Sequence, residues 1–531
     1  MGACYGFTIY YPFTFDDFGN IAGNPAIRDL ADPLRIIGFN PLRPVTYFTF
    51  ALNYLAGGES VAGYHIVNIL IHASNSILVW ILVRKLYQTP RMRSSRQYRD
   101  REIIAFLTAL VFAVHPLMTE AVTYLVQRLV SLSSMLFLAS LIFFICIRSG
   151  RLLRLRKILM VSGFVISCLL AFFTRENTWV LPLVLLAAEK VFFRHEPGHR
   201  RWFSGLLILN VAMFILVAIY ATWSGKYFRP IPPVENHAFT VTPFVYYLTQ
   251  VCVICSYLRL LLIPSGQVFD RDFPMVFSVT EPAFMLCCLM LLAYVIFLFR
   301  IRKTHPVLFF SLLWFLVTSM PQSVVPRPNV FFEHRLYLPS VGIFLFIVNL
   351  FFMVGRQPGR KPVLFFFVLI PVLIFLTVTR NFVWRDELSL WKDTALKSPH
   401  NARAWGNLGH AEYVRQNYPA AESDFKIAVK IMPGKAEFWY NLALAEQMQG
   451  KPQQAVRSVT QAICADPGRA MYYNDRGVLY AMDKDYPRAI ADFSMAISLE
   501  PGLRSALLNR ARVYELTGDT VPGTGERQRK P

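Results

Sequence analysis

The chain has 531 residues, of which 55% are hydrophobic and only 16% are charged. A mean hydropathy of +0.40 over this length excludes an ordinary soluble globular protein. The formal net charge of +21 could indicate nucleic-acid binding, but the lysines and arginines lie in short loops between apolar segments. The charge therefore reports membrane topology, and no nucleic-acid partner is predicted.

The chain starts with a segment, residues 1–64, that we predict to be the first extracytoplasmic loop. It carries an acidic motif, Phe15-Asp16-Asp17-Phe18. Residues 1–15 are apolar but too short to take the N-terminus across a membrane. We therefore expect a transmembrane helix to precede this sequence.

Ten apolar segments that can cross a bilayer follow, some only marginally long enough. They are 65–84, 103–118, 130–147, 158–174, 178–193, 202–223, 282–299, 306–320, 337–354 and 363–379. Alternate loops between them are rich in lysine and arginine, and the positive-inside rule places those loops in the cytoplasm. The other loops, residues 1–64 and everything after 380 then lie outside. Segment 243–263 precedes an acidic loop, so we predict that it lies in the outer interface.

Polar residues in and beside membrane spans are costly, and in this chain they gather in the outer loops. After the acidic motif come Arg43-Pro44 and Gly63-Tyr64-His65. His115-Pro116-Leu117-Met118-Thr119-Glu120 follows the second span, with Gln127 and Arg128 soon after it. Thr174-Arg175-Glu176-Asn177 joins the fourth and fifth spans, and Glu333-His334-Arg335-Leu336-Tyr337 leads into the penultimate one.

Residues 402–503 repeat with a period of 34, which is the tetratricopeptide length. Equivalent positions hold Trp405, Trp439 and Tyr473, and a proline closes each unit at Pro433, Pro467 and Pro501. We predict a domain order of 65–380 for the membrane domain, 381–401 for a connecting helix, 402–518 for the repeats and 519–531 for a polar tail. Such solenoids bind peptides or proteins in a concave groove, and a structural lid or dimerisation surface is the alternative.

These motifs, written FDD..NI..NP, RP...FTFALNYL, HP..TEAVTY..QR, F.REN...LPL and E.R.YLPS.G, resemble the polytopic transmembrane-and-TPR proteins of the GT-C glycosyltransferase class, which includes the protein O-mannosyltransferases. The resemblance covers nearly the whole chain. It implies an all-α fold, with a GT-C-like transmembrane helical bundle followed by a TPR α-solenoid. It also implies a glycosyltransferase that uses a polyprenyl-phosphate-linked sugar on the extracytoplasmic face.

The chemistry of that reaction suits the acidic motif. An acceptor hydroxyl loses its proton as it attacks the anomeric carbon, and a carboxylate is a suitable base. Asp16 and Asp17 are adjacent and point differently, so one can act as base while the other orients a neighbour. The resemblance places the family's catalytic aspartate at Asp16; an Asx turn or helix cap is the alternative. The only cofactor left open is a divalent metal ion, with these two aspartates as ligands if one binds.

The leaving group is a lipid phosphate and requires cations near the outer membrane boundary. Arg335 and Arg175 are the candidates, with Arg128 third; snorkelling or ion-paired arginines are the alternative. Supporting roles are predicted for Glu120, Glu176, Glu333, His115, His65 and Tyr337. His65, Asn68, His72 and Asn75 share one face of the first span, a pattern that favours interhelical hydrogen bonding, with substrate contact as the alternative.

Two other functions compete with a lipid-linked-sugar glycosyltransferase. The spans could only anchor the repeats as a non-catalytic scaffold for protein interactions, or the chain could be a transporter. A transporter would place its ionisable residues near the bilayer midplane. The partners of an enzyme would be a polyprenyl-phosphate sugar, a protein or glycan acceptor, a protein in the TPR groove and membrane lipid. We predict a bacterial inner membrane with periplasmic repeats, or alternatively the endoplasmic reticulum membrane with luminal repeats.

Overall fold

The computed structural model describes residues 1–150, 153–224, 241–324, 326, 329–354 and 360–518. The predicted polar tail, 519–531, lies outside these residues. The described chain divides into two compact units. The first is built from 1–224, 241–269 and 273–386, and the second from 270–272 and 387–518. The domain boundaries derived from the sequence stay predictions.

The first unit is a bundle of α-helices. They are α1 (Gly2–Tyr5), α2 (Pro33–Phe39), α3 (Pro44–Gly57), α4 (Val61–Tyr87), α5 (Arg101–Val114), α6 (Thr119–Thr123), α7 (Arg128–Ser149), α8 (Arg154–Phe172), α9 (Leu181–Phe192), α10 (His199–Ser224), α11 (Pro243–Leu262), α12 (Pro282–Ile301), α13 (Pro306–Val324), α14 (Tyr337–Val354) and α15 (Arg360–Val383). Proline opens several of them, because the first helical position needs no backbone donor and favours the φ angle that proline imposes.

Eight helices of the described chain are long and apolar enough to cross a membrane, or nine if a bent pair counts as one span. The bent pair joins α5 to Pro116–Thr123 at 56°. The bend falls at His115, which is extended because a residue before proline disfavours the helical conformation. The predicted span 178–193 contains a helix of only 12 residues, α9. By contrast α11, which we predicted to lie in the interface, is as long and apolar as the spans, so an interfacial position is not required.

Burial separates the centre of the bundle from its rim. In α7 and α14, 67% of the apolar window is buried, whereas in α12 the figure is 6%. The exposed side chains of α12 include Met285, Leu289 and Leu292. A helix that is apolar on all sides and lacks protein around it is stable in lipid, where its side chains need no partner. This arrangement confirms an all-α, multi-pass membrane fold.

One close helix contact fixes the centre of the bundle. A Cβ atom built on Gly342 of α14 would clash with the Ser311 carbonyl of α13. Beside it the Trp314 indole N–H donates to the Leu338 carbonyl at 2.9 Å. Small residues permit such approach between membrane helices. Helices α13 and α14 are therefore closely packed. The chain between them contains four residues of the cavity described below: Asn329, Phe332, His334 and Arg335.

The second unit consists of paired helices. They are α16 (Glu387–Lys397), α17 (Ala402–Val414), α18 (Tyr418–Ile431), α19 (Ala436–Met448), α20 (Pro452–Ala465), α21 (Ala470–Met482), α22 (Tyr486–Leu499) and α23 (Arg504–Thr517). The pairs begin at α17. In the first pair, α17 and α18, a Cβ on Gly409 would lie 2.9 Å from the Phe425 ring. In the third pair, α21 and α22, a Cβ on the equivalent Gly477 would lie 2.8 Å from the Phe493 ring. The predicted repeats are thus confirmed, with α23 as the first helix of a fourth unit.

Candidate functional site

A cavity of about 220 Å³ opens in the first unit where the predicted outer loops meet. It is lined by Phe15, Asp16, Tyr124, Gln127, Arg175, Phe269, Asn329, Phe332, His334 and Arg335. These residues come from five separate stretches of the chain. The structure therefore brings together one of the predicted aspartates and two of the three predicted arginines.

The two adjacent aspartates have different surroundings. Asp17 is buried, and its carboxylate accepts the backbone N–H groups of Thr14 at 3.1 Å and Val126 at 2.7 Å. Burial raises the pKa of Asp17 to about 7, although these hydrogen bonds limit the rise. Asp16 is exposed at the cavity, and its backbone N–H donates to the Tyr124 hydroxyl at 3.1 Å. Asp17 thus joins the acidic loop to the start of α7, while Asp16 faces the cavity.

The backbone conformation at Phe15 explains why Asp17 is buried while Asp16 faces the cavity. Phe15 has a φ of 46°, a conformation that non-glycine residues seldom adopt. Its ring packs edge-on against Phe269 at 5.8 Å between centroids. Strain of this kind persists only where surrounding contacts hold it, and it is common at functional sites. The turn at Phe15 sets the directions of the two following carboxylates.

Arg335 is held in a fixed position at the cavity wall. Its Nη1 and Nη2 donate to the carbonyls of Val330 at 2.9 Å and Asn329 at 2.8 Å, and its guanidinium lies 5.2 Å from the centre of the Phe332 ring. Because a guanidinium has five donors, two bonds to the protein leave capacity for an anion. This is the planar geometry that phosphate recognition requires.

Arg175 lies on the same cavity beside Gln127, whose side-chain oxygen accepts from Nη1 at 3.5 Å. Its neighbour Glu176 turns away and forms a bidentate pair with Arg43, with N···O distances from 2.9 to 3.2 Å. The predicted Arg175-Glu176 motif therefore divides between two tasks. Arg175 reaches the cavity, and Glu176 ties the loop to the start of α3.

Arg128, the third predicted phosphate ligand, does not line the cavity. It is fully buried, and its donors contact the side chains of Asn68 and Asn53 at 2.7 and 2.6 Å and the carbonyls of Tyr64 and Thr49 at 3.1 and 3.2 Å. These acceptors belong to α3 and α4, whereas Arg128 opens α7. The side chain fastens three helices together.

Glu120 and Glu333 support the site from behind. Glu120 accepts the backbone N–H of His334 at 2.9 Å and its ring Nδ1 at 2.6 Å. Glu333 accepts the backbone N–H of Val268 at 2.7 Å and the Gln267 side chain at 3.0 Å. Both carboxylates therefore orient loops that form the cavity, and neither appears among its lining residues.

The remaining predicted residues lie in the core. The Tyr337 hydroxyl is 2.7 Å from His72 Nδ1 and accepts from Asn75 at 3.1 Å. His65 Nε2 lies 3.1 Å from the Tyr11 carbonyl, and His115 accepts the Leu117 backbone N–H at 3.3 Å. The polar stripe of the first span thus forms hydrogen bonds between chain segments, which is the interpretation that the sequence favours.

The same contacts bear on whether Asp16 and Asp17 could bind a metal ion. Among the described residues, no group of three or more His, Cys, Asp or Glu side chains is arranged to hold a metal ion. Both Asp17 oxygens already accept backbone N–H groups. The Asp16 and Asp17 pair therefore does not form a ready set of metal ligands.

Seven of the residues that line the cavity were not selected as site residues from the sequence, among them the polar residues His334, Gln127 and Tyr124. His334 stands between two selected residues, Glu333 and Arg335, and its ring stacks on Phe332 at 5.0 Å. Its position inside the motif was the available signal. Nothing in the sequence indicates that the Tyr124 hydroxyl accepts from the Asp16 backbone, because 108 residues separate the two positions.

The fold and cavity define a multi-pass membrane protein with a polar site on its helical bundle and a tetratricopeptide array.

Comparison with known proteins shows which families this protein resembles. Residues 440–504 match the tetratricopeptide repeat family. A protein O-mannosyl-transferase of Caenorhabditis elegans is 26% identical over 455 residues, covering 79% of this chain and 60% of the relative. Human protein O-mannosyl-transferase TMTC3 is 24% identical over 484 residues, covering 81% and 50%.

The crystal structure of MamA is 22% identical, covers 27% of this chain and 84% of its own, and has a TM-score of 0.25. The chain spans 50% to 60% of the length of the two curated relatives above. Its resemblance to the transmembrane-and-TPR O-mannosyltransferases is confirmed. These relatives are animal proteins, so the prediction of a bacterial inner membrane gains no support from them.

Proposed function

We propose that this protein is a membrane glycosyltransferase that moves a sugar from a polyprenyl-phosphate-linked donor to a protein hydroxyl on the extracytoplasmic face. The names of its relatives favour mannose as the sugar. One observation carries the proposal: Asp16, Arg175 and Arg335 line a single cavity. The carboxylate can take the proton of the acceptor hydroxyl, and the two guanidiniums can bind the phosphate that leaves with the lipid.

Asp16 is the proposed base. It is the exposed member of the acidic pair, and the Tyr124 hydroxyl fixes its backbone. As the acceptor oxygen attacks the anomeric carbon, the bond to the lipid phosphate breaks and the acceptor proton passes to the Asp16 carboxylate. A carboxylate placed for this transfer contributes about 10²–10⁴-fold to the rate.

Arg335 and Arg175 are the proposed phosphate ligands. Negative charge grows on the phosphate oxygens as the glycosidic bond breaks, so a cation beside them binds the transition state more tightly than the ground state. Arg335 is already held by two carbonyls and therefore needs little reorganisation. Glu120 positions the adjacent His334 at the same wall. Arg128 has no part in this proposal, since its donors bind α3 and α4.

The repeats are the proposed binding site for the acceptor or for a partner protein. Stacked helix pairs present a concave surface suited to an extended chain, and three pairs plus one helix provide a short one. The animal relatives favour the endoplasmic reticulum membrane, with luminal repeats, over the bacterial alternative.

The proposed topology can be tested with reporter proteins fused after Asp386 and near Arg93. The first reporter should lie on the extracytoplasmic side and the second in the cytoplasm.

The decisive test is a membrane assay with a panel of polyprenyl-phosphate sugars and a Ser/Thr peptide, comparing the intact protein with Asp16→Asn. We expect transfer by the intact protein with at least one donor and a loss of about a hundredfold or more in the variant. Glu59→Gln is the matched control, because this glutamate lies in the same segment, carries the same charge and forms only an exposed pair with Arg28.

The outcomes separate the hypotheses. Full transfer by Asp16→Asn would remove the base from this residue. If the intact protein used no donor of the panel while its repeats still bound a peptide, the non-catalytic scaffold would be favoured. Equal loss in Asp16→Asn and Glu59→Gln would indicate damage to the acidic segment as a whole.

A further inference from the structure

A second cavity, of about 180 Å³, lies in the first unit and takes no part in the proposed reaction. It is lined by Tyr87, Arg91, Met92, Ser94, Ser95, Gln97, Lys303, Thr304, His305, Pro306, Val307, Leu308, Asn349 and Met353. The lining comes from two loops that the positive-inside pattern places in the cytoplasm and from the ends of the helices beside them.

This cavity is at the opposite end of the bundle from the candidate active site. Arg335 of the first cavity lies just before α14 begins, whereas Asn349 and Met353 of the second lie in the last turns of the same helix. At 1.5 Å per residue, 14 to 18 residues of helix correspond to about 21–27 Å. The two cavities therefore belong to opposite membrane faces.

The lining of the second cavity is basic. It contains Arg91, Lys303 and His305, and none of the described residues that line it is Asp or Glu. The Ser94 hydroxyl and the Gln97 amide are further lining groups that can donate hydrogen bonds. Such a set suits an anion that accepts several hydrogen bonds, and a phosphate group is the common example.

Arg91 is fixed in advance by the protein. Its Nη1 donates to the Val191 carbonyl at 2.6 Å and its Nη2 to the Lys303 carbonyl at 3.3 Å. These bonds join the loop after α4 to the end of α9 and to the loop before α13. The Arg91 guanidinium is thus hydrogen-bonded to the backbone of Lys303. Both cations therefore stay at the same opening of the cavity, and binding of an anion does not require two separate loops to be ordered.

Another part of the lining is apolar. Val307, Leu308 and Met353 line it, and Tyr87 donates to the Asn349 side chain at 2.8 Å, so these buried polar groups satisfy each other. Next to Met353, the last residue of α14, Val354, is apolar and 70% exposed. An anionic head beside an acyl-compatible surface is the chemistry of a phospholipid.

We propose that this cavity binds a phosphate group at the face opposite the candidate active site, with Arg91 and Lys303 as its cationic ligands. The phosphate belongs to an anionic lipid headgroup or to a small soluble phosphate, and the experiment distinguishes these sources. The inference does not depend on glycosyltransferase activity, because none of these residues lines the first cavity.

The test measures binding to the purified full chain by native mass spectrometry and thermal shift. Three probes are compared: dioctanoyl phosphatidic acid, inorganic phosphate and dioctanoyl phosphatidylcholine. Lys303→Gln should weaken binding of the phosphate probe about tenfold, which is the scale for losing one charge-assisted hydrogen bond. The matched control is Arg302→Gln, which removes the same charge from the next residue, outside the cavity, where the guanidinium lies over Phe299 at 5.6 Å. Its affinity should equal that of the unchanged protein.

Tight binding of phosphatidic acid alone supports a lipid headgroup, and binding of inorganic phosphate as well supports a soluble phosphate. Either result requires loss in Lys303→Gln and retention in Arg302→Gln. The proposal is overturned if both variants lose affinity equally, since net charge would then explain binding. It is also overturned if phosphatidylcholine binds as well as phosphatidic acid, or if no probe binds.

Discussion

Replacing Arg128 with lysine tests whether this arginine is a structural connector or a phosphate ligand. Arg128→Lys keeps the positive charge but replaces a planar group that reaches acceptors in several directions. In the structure Nε contacts Asn68, Nη1 contacts Asn53 and Nη2 contacts the Tyr64 carbonyl, at 2.7, 2.6 and 3.1 Å. The guanidinium also lies over the Phe50 ring at 4.5 Å. A single ammonium cannot occupy all these positions.

The cost follows from the contacts that are lost. One or two hydrogen bonds to a charged donor, each contributing about 1.5–3 kcal/mol, leave buried oxygens without a partner. We expect a destabilisation of about 2–5 kcal/mol. In a unit of more than 300 residues, 1 kcal/mol corresponds to about 1–2 °C, which extends the trend for smaller domains. The apparent melting temperature should therefore fall by about 2–10 °C.

The assay is fluorescence-detected thermal unfolding of the full chain in detergent at one scan rate, because unfolding of such a protein is seldom reversible. Arg28→Lys is the matched control, since Arg28 pairs with Glu59 at the surface, where the two side chains are 45% and 58% exposed. An exposed pair contributes at most about 1 kcal/mol, so this variant should change little. Equal shifts for the two variants would refute the structural role. Unchanged stability with lost donor binding would return Arg128 to the phosphate site.

Two further predictions address the cavity and the repeats. Arg335→Lys keeps the charge but cannot donate to the Val330 and Asn329 carbonyls as a fork. Turnover should therefore fall about tenfold, while the amount of protein in the membrane stays normal. Unchanged turnover and donor affinity would leave Arg335 as a boundary anchor. In the repeats, burial of Glu422 opposes ionisation, but hydrogen bonds from Lys426 and Lys451 lower its pKa to about 2. Its contribution to stability, about 1–2 kcal/mol after screening, is present above about pH 4.5 and lost as the pH falls toward 2. The difference in thermal stability between the intact protein and Glu422→Gln should shrink over that range, and a constant difference would contradict the assignment.

The apolar segments and the repeats could be predicted from the sequence because both depend on local periodic signals. A helix that faces lipid needs only an unbroken apolar stretch, and α12 meets that condition without protein contacts on most of its surface. Aromatic residues and prolines at a period of 34 indicate the repeats, since each unit packs against its neighbour in the same way. The loop motifs also indicated which parts of the chain would meet.

The role of each charged residue was decided by tertiary contacts. Asp16 and Asp17 are adjacent residues of the same type, but Asp17 accepts the backbone N–H of Val126, 109 residues away. Arg128 and Arg335 both stand at the start of a helix, yet only Arg335 lies on the cavity. A charged group is committed to the protein or left for a ligand according to the acceptors around it. The partners that commit Asp17 and Arg128 to the protein come from distant segments. Local sequence therefore determined the helices and the repeats, while the fold determined which polar groups the site could use.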